Sequence, residues 1–197
     1  MTQPVNAPSP ATATAEETAS AEGYFEKGMQ AYRQDRNKEA VEAFQEAARL
    51  NPDYADAYLR LGYAYAALGQ HEESTKAFQQ AAKAYERIVR SKPKDAGIYF
   101  HQGTAYAELK KWEDAVKAFK QAVKFAPDDG ENHYELGVAH SKLAQYEEAV
   151  KELNEAVRLD PNNFRAGEAL ERAKAGRARR EAFLKRLEKD SKQQARD

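Results

Sequence analysis

Four histidines, His71, His101, His133 and His140, are the side chains best suited to proton transfer or metal ligation near neutral pH. A metal site needs them at ligand spacing and joined by carboxylates. No carboxylate–histidine spacing of that kind accompanies any of the four, so they read as residues of a core or a helix interface. Cysteine is absent, which removes thiolate nucleophiles, disulfides and cysteine-held metals together. The chain has no phosphate-cradling glycine loop, no nucleophile elbow and no HExxH. The acidic pairs Glu72–Glu73 and Glu147–Glu148 could serve acid–base chemistry. They stand where helices are expected to begin, and negative charge there complements the helix dipole. The expectation is a chain that is not an enzyme, with no catalytic residue, no cofactor and no metal.

The elements that would position these side chains announce themselves by repetition. Gly28 and Gly62 are 34 residues apart, Gly62 and Gly103 are 41, and Gly103 and Gly137 are 34 again. Each glycine lies in the first of two amphipathic helical patterns. Each second pattern sets a small residue four before a large apolar one: Ala40 and Phe44, Ser74 and Phe78, Ala115 and Phe119, Ala149 and Leu153. A proline follows each unit, at Pro52, Pro93, Pro127 and Pro161. Such a unit is an antiparallel helix hairpin. Glycine and the small residue let the backbones close up, and large apolar side chains fill the seams. Proline stops the second helix, and Asp53, Asp95, Asp129 or Asn163 can cap the next. One hairpin cannot bury both its faces, so units must stack.

This spacing resembles the tetratricopeptide repeat. The motif positions are Tyr24, Lys27, Gly28 and Ala31 in unit one, and Tyr58, Leu61, Gly62 and Tyr65 in unit two. Unit three has Tyr99, Gln102, Gly103 and Tyr106, and unit four has His133, Leu136, Gly137 and His140. Lys27 and Gln102 depart from the usual leucine, and His133 and His140 from the usual aromatics. The resemblance implies an all-α fold, a tetratricopeptide-type α-solenoid in which helix hairpins form a right-handed superhelix. The expected organisation is a disordered Pro-, Thr- and Ala-rich tail over 1–20 and four repeats over 21–163. Their bounds are 21–54, 55–95 with a seven-residue insertion, 96–129 and 130–163. A capping helix with a basic extension covers 164–197.

The resemblance also implies that first helices line a groove for a partner peptide or helix. Its positions here are Phe25, Met29 and Tyr32, then Leu59 and Tyr63, then Phe100 and Thr104, then Tyr134 and Val138. The alternative for each is packing between helices. Chaperone-binding members clamp a terminal carboxylate with Lys, Asn and Arg. The matching positions are Phe25, Met29, Arg60, Gly97 and His101, or, one unit on, Leu59, Tyr63, His101, Glu131 and Glu135. Neither set supplies a cationic clamp, so no such co-chaperone role is expected. Unit two's second helix should run unbroken from about Glu72 to Arg90 and overhang at its Pro93 end by ~10 Å, at 1.5 Å per residue. Either its neighbours accommodate it, or Tyr85, Ile88 and Val89 form a partly exposed patch for a partner or a second copy.

After Phe164 the motif stops while a helical pattern continues to about Lys189. Ala166, Ala169, Leu170 and Ala173 can close the last hairpin. Residues 164–197 hold eleven Lys or Arg against six Asp or Glu, whereas the repeats are net acidic. Arg177, Arg180, Phe183 and Leu187 belong to this extension, which reads as a solvated cap, a partner-binding helix, or a contact with RNA or an anionic surface. The start of the chain lacks the basic and apolar runs of a secretory signal, so a cytoplasmic location is expected. The leading expectation is a non-enzymatic scaffold that binds a protein partner, with self-association as the first alternative and RNA or anionic-surface binding as the second.

Overall fold

The computed structural model describes residues 20–194, and the expected N-terminal tail lies outside them apart from Ser20. Among the described residues there are nine α-helices and no strand. They are α1 (Ala21–Arg33), α2 (Asn37–Leu50), α3 (Ala55–Ala67), α4 (His71–Ser91), α5 (Ala96–Glu108), α6 (Trp112–Phe125), α7 (Gly130–Lys142), α8 (Tyr146–Leu159) and α9 (Phe164–Gln194). The chain divides into two compact units, the first ending at Lys92 and the second beginning at Pro93. In the first, α1 pairs with α2 and α3 with α4, and α3 also lies on α2. In the second, α5 pairs with α6 and α7 with α8, α7 lies on α6, and α9 packs against α8 and α7.

Each hairpin turns through one residue with left-handed backbone: Asp35 (φ 56°), Gly69 (72°), Lys110 (56°) and Ala144 (55°). The turns therefore keep the same register as the glycines inside the helices. Those glycines are needed for close approach. A Cβ at Gly62 would stand 2.5 Å from the Phe78 ring, and one at Gly103 would stand 2.6 Å from the Phe119 ring. Phe44 and Phe119 are fully buried, as is Leu153 at the equivalent place in the last hairpin. Alanines at Ala40, Ala47, Ala115, Ala122 and Ala149 fill the rest of the seams with no exposed surface.

Three of the four expected caps are made. The backbone N–H of Ile98 donates to Asp95 (3.1 Å), that of Glu131 to Asp129 (2.9 Å) and that of Ala166 to Asn163 (3.1 Å). Asp53 is the exception. Tyr54 occupies the cap position of α3 and no side chain caps it. The Asp53 carboxylate instead accepts from Arg87 Nε at 2.7 Å. Arg87 lies on the extra two turns of α4, which extend at the Pro93 end, so the insertion itself supplies the competing partner.

The same extra turns separate the two readings of the insertion. Tyr85 is not part of an exposed patch: only 2% of its surface is accessible. Its hydroxyl donates to Asp56 Oδ1 at 2.6 Å. Burial, reinforced by that carboxylate, pushes the phenol pKa far above its usual range. Ile88 and Val89, one turn on, are half-buried. The first turn of the insertion is therefore core, because it reaches back to the start of α3. Tyr85→Phe should destabilise the first unit by about 1.5–3 kcal/mol, the scale of a hydrogen bond to a charged group, in urea unfolding.

α9 runs to Gln194, five residues beyond the expected Lys189. Its buried residues are Ala166, Ala169, Leu170, Ala173 and Gly176. Gly176 is a contact the repeat pattern does not reveal. Any Cβ there would fall inside the contact radius of the Tyr146 ring on α8. Gly176→Ala should therefore loosen α9 from α8 although alanine favours helix. Faster amide exchange over 166–176, with α5 and α6 unchanged, would show it.

Candidate partner-binding faces

In the first unit, Phe25, Met29 and Tyr32 on α1 are half-buried against a core of Ala31, Val41, Phe44 and Leu61. The Phe25 ring lies 5.7 Å from Phe44 and 5.0 Å from Tyr54. On α3, Tyr63 is half-buried and meets Phe78 edge-on at 5.2 Å. Leu59 differs from the expectation, being 2% exposed. Its aliphatic side chain does not reach past its neighbours as the ring of Phe25 does at the equivalent position. The face is thus made of Phe25, Met29, Tyr32 and Tyr63, each held from behind by the hairpin core.

The second unit presents a different face. Phe100 is half-buried, 5.9 Å from Phe119 and 5.5 Å from the His101 ring. Thr104 donates its hydroxyl to the Phe100 carbonyl (3.0 Å), so that group is spent on its own helix. Tyr134 is buried, again unlike the expectation, because α9 covers it: the Arg165 guanidinium lies 4.6 Å above its ring. Val138 is half-buried beside it and packs on the α8–α9 core. Tyr134, Val138, Tyr146, Lys142 and Arg172 line a recess of about 270 Å³ between α7, α8 and α9.

Beside that recess stand charged groups that sequence reasoning placed only as misfits to a carboxylate clamp. Arg165 reaches Glu131 at 3.4 Å and Glu135 at 3.7 Å. Burial raises the Glu135 pKa to about 7; Glu131 and Glu108 add to the rise and Arg165 opposes it. The spacing of Glu131 and Glu135 on one helix face was readable. The approach of Arg165, 30 residues further on, was not.

Two of the four histidines, His133 and His140, are built into the helix packing, whereas His71 is exposed at the start of α4. His133 is buried, its Nε2 donates to the Pro127 carbonyl (2.9 Å), and its Nδ1 lies 2.8 Å from Glu152. His140 is also buried, with Nδ1 at 2.6 Å from the Gln145 side-chain oxygen. Among the described residues no group of three or more His, Asp or Glu is placed to hold a metal ion. No described helix is long and apolar enough to cross a membrane.

On α9, Arg177 is half-buried and lies 3.7 Å from Glu181. Arg180 reaches Glu147 (3.4 Å) and the Ala144 carbonyl (3.3 Å). Phe183 and Leu187 are exposed, at 59% and 48%.

Comparison with known proteins agrees with this architecture. Tetratricopeptide-repeat profiles match residues 24–69, 53–128 and 106–174. An uncharacterized protein of Methanocaldococcus jannaschii is 36% identical over 58 residues, which cover 29% of this chain and 67% of that protein. Among solved structures, TTC0263, a thermophilic TPR protein of Thermus thermophilus, is similar with a TM-score of 0.62. It is 21% identical, and the match covers 83% of this chain and 86% of that one. MamA from Desulfovibrio magneticus RS-1 is similar at 0.57 and 23% identity, over 88% of this chain and 96% of that one. The first TPR of Spaghetti (RPAP3), bound to an HSP90 peptide, is similar at 0.52 and 24% identity, over 63% of this chain and 93% of that one. These structural likenesses speak for the fold, and the profiles together span nearly all the helix hairpins. The chain belongs to the tetratricopeptide-repeat family.

Proposed function

We propose that the chain is a protein-interaction scaffold whose first unit holds a peptide or short helix of a partner against α1 and α3. The observation that carries this reading is the row of half-exposed Phe25, Met29, Tyr32 and Tyr63. Phe25 is backed by Phe44, Tyr63 by Phe78, and Met29 and Tyr32 by the core around Ala31, Val41 and Leu61, while all four remain partly exposed. Aromatic and Met side chains held in that way make effective anchors, because little rotamer freedom is left to lose on binding. The second unit is the weaker candidate, since Tyr134 is covered by α9 and Thr104 bonds its own helix.

The Spaghetti domain is similar in fold and is bound to the HSP90 peptide SRMEEVD. Where the family's carboxylate clamp would place its first two groups, this chain has Phe25 and Met29. An apolar anchor on the ligand therefore suits the first unit better than a terminal carboxylate.

Peptides selected from a random library on the intact chain provide the test. Met29→Ala and Tyr63→Ala should each weaken the selected peptides by about tenfold or more, the effect of losing roughly 1.4 kcal/mol. Melting curves must show the variants folded. Selected peptides that bind both variants as tightly as the parent would place binding elsewhere.

A further inference from the structure

Gly176 is the last buried residue of α9. From Arg177 to Gln194 the helix continues for about 27 Å at 1.5 Å per residue, with every residue after Arg177 exposed. Phe183, Leu184 and Leu187 are 59%, 47% and 48% exposed, and at 3.6 residues per turn they share one side. Arg179 and Arg186 flank that side next to Phe183, and Arg177 flanks it next to Leu184. Lys185, Lys189 and Lys192 gather on the opposite side around Glu188. Over 177–194 the sequence carries seven cationic and three anionic side chains.

We propose that this half of α9 lies flat on an anionic lipid surface, with Phe183, Leu184 and Leu187 dipping between headgroups and the flanking arginines meeting lipid phosphates. Charge and length select this occupant. A second copy would bring the same excess of positive charge, which repels. A partner helix in a coiled coil needs apolar positions sustained over several heptads. Here the stripe is one turn long, with Arg180 one turn before it and Ser191 and Gln194 after it. RNA would use the cations but give Leu184 and Leu187 no role. A bilayer interface needs only one amphipathic face, and each Lys or Arg near an anionic surface strengthens the contact. The helix is not apolar enough to cross, so the contact is peripheral. It is separate from the peptide-binding reading of the first unit and does not depend on it.

Co-sedimentation of the full chain with phosphatidylcholine vesicles, with and without about 30 mol % phosphatidylglycerol, tests the proposal. Binding to the anionic vesicles should be at least ~10-fold tighter than to the neutral ones and should weaken as salt is raised. The triple variant Phe183→Gln, Leu184→Gln, Leu187→Gln should lose ~10-fold or more, as should Arg179→Glu with Arg186→Glu. All five side chains are exposed, so far-UV spectra should not change. Absent vesicle binding, equal binding to both compositions, or binding that survives the triple variant each overturns the proposal. Polyuridylate binding in place of vesicle binding would assign the helix to RNA. A solution mass above 22.1 kDa that falls in the triple variant would assign it to a second copy.

Discussion

Phe119→Ala is expected to destabilise the second unit by about 3–5 kcal/mol, and adding Gly103→Ala to that variant is expected to restore part of the loss. Phe119 has no exposed surface, and it lies where a Gly103 side chain would otherwise be. A Cβ at Gly103 would stand 2.6 Å from two ring carbons and 3.0 Å from a third. The enclosed ring has nowhere to retreat. In the parent, Gly103→Ala therefore overpacks the seam at about 1–3 kcal/mol. That exceeds the ~1 kcal/mol by which alanine favours a helix over glycine. Once the ring is gone, the new methyl enters the void and the helix preference is gained without opposition, so the sign reverses. A urea-unfolding double-mutant cycle should give a coupling of at least ~1 kcal/mol. Simple additivity would mean that the two residues do not share the seam.

The second large effect is a loss of stability as pH rises. The Glu135 carboxyl has a pKa of about 7 in the fold against an ordinary 4.5, chiefly from burial, with Glu131 and Glu108 adding to it and Arg165 opposing. A folded value above the unfolded one means that folding favours the neutral acid. Its contribution is complete below the unfolded pKa and is lost as pH rises through about 7. The loss should reach about 3 kcal/mol by pH ~8. Glu135→Gln keeps the shape and removes the titration. It should be the more stable chain at pH ~8 and should flatten the profile between pH ~5 and ~8. Denaturation midpoints of both chains at four pH values check this. Parallel profiles would remove Glu135 from the account.

What could be read from the sequence was whatever repeats. Gly62 with Phe78 and Gly103 with Phe119 recur at fixed spacing, so their contact follows from the helix hairpin alone. Contacts that occur once escaped. Tyr85 belongs to the insertion, and its sequence left packing and exposure both open because its partner Asp56 lies 29 residues back. Asp53 looked like a cap until Arg87 took its carboxylate. Gly176 falls outside the repeat period, and nothing local marks Tyr146 as its neighbour. Among the candidate groove residues, Phe25, Met29, Tyr32 and Tyr63 keep open edges. Leu59 and Tyr134 do not, because exposure depends on the neighbour's reach and, for Tyr134, on where α9 lies. The Glu135 pKa was beyond any pattern, since three helices must converge to set it.

Because the insertion in α4 follows Phe78, it leaves one quantity untouched. In every hairpin the glycine and the large residue that covers it are 16 positions apart, in the lengthened one as in the others. Bringing such near neighbours together costs little chain entropy, and loops of roughly ten residues close in ~10–100 ns. Each hairpin thus has an early, local event from which the rest can grow, and the chain as a whole should sit at the fast, low-contact-order end of folding rates. The added turns lengthen the polypeptide without lengthening any loop that must close first.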